Sequence, residues 1–169
     1  MADQSVRGEP AGERWLTPDE LAAWKKFIAV VELLPGVLDS QLQHDAELTH
    51  FEYFTLAILS EAPNRTLRMT ALAASTNATL PRLSHVASRL EKRGYLARTP
   101  CPEDRRATNA SLTAEGWQKV RTTAPGHVAT VRGAVIDPLT RQDVADLGRI
   151  MTKVLGRLDP ENRFQSNGE

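Results

Sequence analysis

Apolar residues recur at every third or fourth position over most of this chain, which is the spacing of one face of an α-helix. These stripes predict a long helix over residues 17–46, a second over 49–62, and two C-terminal helices between 113 and 158. We expect Pro35 and Pro125 to kink or break their helices, because proline lacks a backbone N–H and crowds the preceding turn. The expected buried face of the second helix consists of Phe51, Phe54, Ala57 and Ile58.

Threonines mark where several of these helices begin. Thr17 precedes Glu20 by three positions, and Thr49 precedes Glu52 in the same way. This spacing is typical of a capping box, in which the hydroxyl and the carboxylate each accept a hydrogen bond from an otherwise unpaired amide. Thr113 is expected to cap the first of the two C-terminal helices.

The middle of the chain has a different pattern, in which short segments alternate with turns. We interpret it as an extended segment, two helices joined by a turn, and a two-stranded hairpin, with expected bounds 66–70, 70–75, 79–93, 95–98 and 108–112. Two helices followed by a hairpin is the pattern of a winged helix-turn-helix domain. The predicted fold is therefore mainly α-helical, with a small β-hairpin wing and flanking helices that serve dimerisation.

The predicted helix over residues 79–93 has two unlike faces. Its apolar stripe consists of Leu80, Leu83, Val86, Ala87 and Leu90. The opposite face carries positive charge and short hydrogen-bonding groups, namely Arg82, Ser84, His85, Ser88, Arg89 and Lys92. Such groups suit base edges and phosphates, so we expect this helix to enter the major groove of DNA.

Charge is segregated along the sequence although the formal net charge is zero. Residues 79–106 contain seven cations and three acids, a net charge of +4, whereas residues 1–48 contain four cations and nine acids, a net charge of −5. For a nucleic-acid binder the distribution of charge matters more than its sum.

Composition narrows the class of protein further. The chain has 169 residues, of which 41% are apolar, and this is enough for a folded core. We expect a cytoplasmic protein without a membrane segment, because there is no leader-like or long apolar stretch. The sequence has no nucleophile elbow, no glycine-rich phosphate loop and no catalytic His/Asp/Cys set, so neither enzymatic activity nor a cofactor is expected.

Five short motifs occur in a fixed order: Leu48-Thr-x-Phe51, Leu67-Arg-Met-x-x-Leu72-Ala73, Arg89-Leu-Glu-x-x-Gly94-Tyr, Asp104-Arg-Arg106 and Leu112-Thr-x-x-Gly116. Together they resemble the MarR family of bacterial transcriptional regulators. The resemblance implies a dimer of winged helix-turn-helix domains that binds a pseudo-palindromic operator. It also implies a repressor that a small molecule, or in some members oxidation, releases from DNA.

The resemblance also assigns candidate DNA contacts. They are Thr79, Arg82, Ser84, His85, Ser88 and Arg89 on the helix, with Arg105 and Arg106 on the wing. Arg89 would donate to a guanine edge or a phosphate; the alternative is that it only solvates the helix or pairs near Glu91. Arg106 would enter the minor groove, and Asp104 would shape the hairpin by accepting from Arg106 or from backbone amides.

A small-molecule effector would bind where flanking helices meet the DNA-binding domain. The aromatic residues expected there are Trp24, Phe27, Phe51, Phe54 and Trp117. These residues equally fit a plain hydrophobic core, and the sequence leaves both interpretations open.

Cysteine and histidine give weaker hypotheses. Cys101, the single cysteine, is expected to be exposed beside Arg105 and Arg106, where it is either a redox-responsive thiol or a small apolar residue of the hairpin. His44 and His50 flank the loop between the first two helices, but no compact cluster of metal ligands surrounds them, so no metal site is expected.

The predicted organisation has five parts. They are a tail over residues 1–16, a dimerisation helix over 17–46, a DNA-binding domain over 47–112, dimerisation helices over 113–158 and a second tail over 159–169. The expected partners are an operator duplex, a second copy of the chain and a small-molecule effector. The alternative function is a winged-helix module that binds protein and has no specific affinity for DNA.

Overall fold

The structure is a computed structural model that describes residues 14–102, 104 and 106–163. Most of the predicted N-terminal tail, the end of the C-terminal tail and Arg105 lie outside these ranges. The chain divides into two compact units, one ending at Leu34 and the other beginning at Pro35. Within the described ranges, no helix combines the length and the apolar character needed to cross a membrane.

The first helix, α1, spans Pro18–Ala46 and begins at the predicted capping box. The Glu20 amide donates to the Thr17 hydroxyl at 3.3 Å, and the Thr17 amide donates to the Glu20 carboxylate at 2.8 Å. Of the kink or break expected at Pro35, the break is wrong, because α1 continues through this residue. Pro35 is exposed, so water can solvate the carbonyl group that its missing N–H leaves unpaired.

The second unit begins in the last turns of α1, where Leu38, Leu42 and Ala46 are buried. Helix α2 spans His50–Glu61 and has the predicted capping box between Thr49 and Glu52.

The predicted buried face of α2 is only partly correct. Ile58 is buried, whereas Phe51, Phe54 and Ala57 are half-buried. The side chains that α2 buries are Glu52, Tyr53, Thr55, Leu56, Ile58 and Leu59. Apolar residues occupy most of the circumference of this helix, so their spacing does not single out one face.

A three-stranded antiparallel sheet replaces the predicted two-stranded hairpin. Its strands are β1 (Thr66–Arg68), β2 (Leu96–Pro100) and β3 (Thr108–Leu112), in the order β1-β3-β2. Ala110, in the central strand, is fully buried and pairs with Leu67 on one side and Arg98 on the other. The wing is therefore hydrogen-bonded to β1, the strand that leads directly into the next helix.

Helices α3 (Met69–Ser75) and α4 (Leu80–Lys92) form the predicted helix-turn-helix. The stripe of α4 packs into the core through Leu83, Val86, Ala87 and Leu90, while Leu80, which was expected to join it, is 42% exposed. Gly94 ends the helix in a left-handed conformation with φ of 77°. Its amide donates to the Glu91 carbonyl, and the next amide donates to the Leu90 carbonyl, which is a Schellman motif.

Two further helices complete the described part of the chain, and Thr113 caps the first of them as predicted. Helix α5 spans Ala114–Val131 without the break expected at Pro125, which is exposed like Pro35, and a π-helical turn over Arg132–Ile136 follows it. Helix α6 spans Arg141–Leu158 and has no buried residue, so its apolar stripe is left uncovered within the described chain.

Gly116 provides a test of how α5 is seated on the sheet. A methyl group at this position would lie 2.0 Å from the Tyr95 carbonyl oxygen and 2.8 Å from a Leu112 methyl group. Gly116→Ala should therefore lower the free energy of unfolding by about 2–4 kcal/mol in a denaturant titration. Gly156→Ala is the control, because its methyl group meets open space, and should raise it by about 0.5–1 kcal/mol. Equal stabilities would contradict this packing.

Candidate nucleic-acid interface

The start of α4 fixes the direction of its outer face. The Thr79 hydroxyl accepts a hydrogen bond from the Arg82 amide at 3.4 Å, and Pro81 stands in the first turn, where no amide bond is lost. Because the apolar stripe is buried, Arg82 and His85 are exposed on the other side. The Arg82 guanidinium lies over the Phe51 ring, 4.4 Å from its centroid.

Arg89 forms an ion pair that joins α4 to α2. Its Nε and Nη2 atoms lie 3.1 and 3.0 Å from one carboxylate oxygen of Glu52, whose side chain is only 6% exposed. The other carboxylate oxygen accepts from the Thr49 amide. The Arg89 side chain is 46% exposed, so part of its guanidinium still faces solvent.

The alternative that Arg89 pairs near Glu91 is wrong, because Glu91 pairs with Arg98 of the wing. The Arg98 guanidinium donates to Glu91 at 2.6 Å and to the Ser88 hydroxyl at 2.9 Å. The hydrogen bonds from Arg98 to its carboxylate hold the pKa of Glu91 below its ordinary value. Ser88, a predicted DNA contact, is therefore half-buried and engaged with the wing.

The tip of the wing is closed by its own backbone. Asp104 accepts from the Arg106 amide at 3.0 Å, which is one of the two shaping contacts that the sequence predicted. The Cys101 amide donates to the Ala107 carbonyl at 2.9 Å. Cys101 was expected to be exposed, and this is wrong, because its side chain is only 4% exposed. Arg106 is exposed.

Two concave surfaces flank α4. The first, which we call the α2 groove, has a volume of about 780 Å³, and its lining includes Asp39, His50, Phe51, Arg82, His85 and Arg89. The second, which we call the wing cleft, has a volume of about 180 Å³, and its lining includes Arg68, Thr70, Ser84, Arg98, Arg106 and Thr108. Of the predicted DNA contacts, Arg82, His85 and Arg89 line the α2 groove, whereas Ser84 and Arg106 line the wing cleft.

The predicted effector residues belong to both units of the chain. Trp24 and Phe27 lie in the first unit with ring centroids 6.1 Å apart. In the second unit Phe51 lines the α2 groove, whereas Phe54 and Trp117 do not. Trp117 lies beneath the Arg65 guanidinium, 4.1 Å from the ring centroid.

Two histidines meet between α2 and α5. The rings of His50 and His127 are stacked with centroids 6.3 Å apart, and the Tyr53 ring lies 4.7 Å from His127. Burial lowers the pKa of both histidines, and the charge of His50 lowers that of His127 further, while Asp39 acts against the effect on His50. His44 instead contacts Asp45 at 2.7 Å. Within the described ranges, no group of three His, Cys, Asp or Glu side chains could hold a metal ion.

Sequence reasoning missed three features of this surface: the partner of Arg89, the engagement of Ser88 and Arg98, and the place of Arg68 in the wing cleft. Glu52 was recognised as a capping residue, but no local pattern reveals a contact with a residue 37 positions away. The motif Leu67-Arg-Met contained a signal for Arg68, since it places an arginine directly before the helix-turn-helix.

The fold and this surface define a winged helix-turn-helix protein, and comparison with known proteins agrees. A sequence model of the MarR family matches residues 48–108. Sco3205, a MarR family transcriptional regulator from Streptomyces coelicolor solved in complex with DNA, is 47% identical, with a TM-score of 0.84 over 89% of this chain and 94% of that one. AbsC, a MarR family regulator from the same organism, is 37% identical, with a TM-score of 0.80 over 86% and 98%.

A shorter match is to the HTH-type transcriptional regulator PapX of Escherichia coli, 36% identical over 69 residues. That match covers 41% of this chain and 42% of PapX. With the near full-length likeness to Sco3205, the result is clear: this chain belongs to the MarR family of transcriptional regulators.

The histidine pair makes stability dependent on pH. Unfolding returns both side chains to an ordinary pKa near 6.5, so the unfolded state binds more protons below that pH and stability is lost as the pH falls. Because both rings are only partly shielded, the loss stays below about 1.4 kcal/mol per pH unit for each histidine. His127→Gln should weaken this dependence in denaturant titrations between about pH 7.5 and 5.5. Equal slopes for His127→Gln and the wild type would contradict the assignment.

Proposed function

We propose that this protein is a sequence-specific DNA-binding transcriptional regulator that acts as a homodimer on a pseudo-palindromic operator. Residues 47–112 form the DNA-binding domain, and the helices within 17–46 and 113–158 serve dimerisation. The observation that carries the proposal is the orientation of α4: its leucine stripe is buried, and its polar face is exposed on the same domain as the exposed wing residue Arg106. The DNA complex of Sco3205, a relative at 47% identity, supports it.

In this proposal α4 enters the major groove and the wing enters the adjacent minor groove. Arg89 is the leading candidate for a base contact. Glu52 fixes its guanidinium through two N–H groups, which leaves other donors of the fork available for a guanine edge. Arg106 lies at the tip of the wing and is the candidate for the minor groove. A narrow minor groove concentrates negative potential, which attracts an arginine side chain.

Dimerisation is supported by the uncovered apolar side chains of α6. Val144, Ile150 and Leu158 are exposed, and no residue of this helix is buried within the described chain. Apolar stripes of this kind are covered in a stable protein. A symmetric second copy of the chain would cover the stripe of α6 and the apolar side chains of the N-terminal helix together.

Repression and release by an effector follow from the family resemblance. The α2 groove is a suitable place for an effector because it joins Phe51 to side chains of α4, so a ligand there can act on the recognition helix. The ligand must bind the form that is released from DNA more tightly, by about 10⁴-fold for a nearly complete shift.

The competing function is a module that binds protein through the same basic face. Salt dependence separates the two, because only DNA binding by several phosphate contacts releases condensed counterions.

The first test is selection of duplexes from a random pool by the wild-type protein, followed by affinity measurements at several salt concentrations. We expect an enriched inverted repeat. The logarithm of the binding constant should fall by about 0.9 per contacted phosphate for each tenfold rise in salt. No enrichment, together with a shallow salt dependence, would sink the proposal and favour a protein partner.

The dimer has its own test. Leu147→Asp places a charge in the apolar stripe of α6 and should yield monomers in analytical ultracentrifugation, with weaker binding to the selected duplex. Arg141→Asp, at the exposed start of the same helix, is the matched control and should remain dimeric. If Leu147→Asp sediments like the wild type, α6 is not the dimer seam.

A further inference from the structure

The wing cleft contains arginines from three different segments. Arg68 ends β1, Arg98 lies in β2, and Arg106 stands at the closed tip of the wing. Ser84 of α4, Thr70 of α3 and Thr108 of β3 add hydroxyl groups to the same cleft. Only Ser84 and Arg106 were candidate DNA contacts on sequence grounds.

The geometry of duplex DNA says what must occupy this cleft. A major groove and the adjacent minor groove are separated by the sugar-phosphate backbone of one strand. If α4 lies in the first groove and the wing in the second, that backbone has to pass between them. The wing cleft lies between these two elements, since its walls include Ser84 from α4 and Arg106 and Thr108 from the wing.

The charges within the cleft come from different strands of the sheet. Arg98 is held by the Glu91 carboxylate and the Ser88 hydroxyl, so it braces the wing against α4. Arg68 comes from the far strand of the sheet, where its partner in register is Asn109 of β3. It adds positive charge to the cleft, and the hydroxyl groups that line the cleft can donate to the same anion.

We propose that the wing cleft is a backbone-phosphate site and that Arg68 neutralises a phosphate in it, setting the register of the protein on DNA without reading a base. The inference rests on the proposed function, because it requires α4 and the wing to occupy adjacent grooves. It adds a contact from β1, which precedes the helix-turn-helix. The sequence predicted DNA contacts only on the recognition helix and the wing.

The test uses the duplex selected by the wild-type protein and the variant Arg68→Gln. The variant should bind about tenfold more weakly, with a salt slope shallower by about 0.9, while the ratio of selected to random affinity is retained. Arg68→Lys keeps the charge and should keep most of the slope. Arg121→Gln removes one charge from the exposed face of α5 and should change neither quantity. Thermal unfolding of each variant shows whether it is folded.

A positional readout makes the test sharper. Single phosphates of the duplex are replaced in turn by uncharged methylphosphonates, and one replacement should weaken the wild type but not Arg68→Gln. Identical profiles or an unchanged salt slope would overturn the inference, as would a loss of sequence discrimination, which would make Arg68 a base contact. If the wild type itself binds no duplex in a salt-dependent way, the proposed function fails first, and the two failures are thus distinguishable.

Discussion

The structure depends on how α4 is fastened to the rest of its domain. Leu83, Val86, Ala87 and Leu90 are buried, and each large apolar side chain of this kind contributes roughly 1.5–3 kcal/mol. This burial fixes the rotation of the helix about its axis. The ion pair between Arg89 and the buried carboxylate of Glu52 adds a polar tie to α2. Removing Arg89 would leave that carboxylate without its charged partner, so the pair also ties the stability of the domain to its candidate DNA surface.

Local signals predicted much of this arrangement. The capping boxes at Thr17 and Thr49 and the cap at Thr113 were correct, because a hydroxyl and the amides that it satisfies lie within three residues of each other. The two faces of α4 were predicted for a similar reason, since the spacing of apolar and polar residues along a helix shows directly which residues share a face.

The errors arose where contacts are distant in sequence or where the pattern is ambiguous. Helix α2 is apolar on most sides, so its buried face was misjudged. The extended segment over residues 66–70 was predicted, but its place in the sheet depends on pairing with β3, more than 40 residues away. Exposed prolines were tolerated within α1 and α5. Cys101 is buried although it lies at the end of a polar hairpin, which composition alone does not reveal. The same limit hid the wing cleft, whose walls come from four separate segments.

Methylation interference on the selected duplex tests most directly whether α4 and the wing occupy adjacent grooves. Dimethyl sulfate methylates guanine N7 in the major groove and adenine N3 in the minor groove. The account predicts that binding is lost when a guanine facing α4 is methylated and also when an adenine in the neighbouring minor groove is methylated. The same pair should recur about one helical turn away. Interference in neither groove, or in one half-site alone, would contradict it.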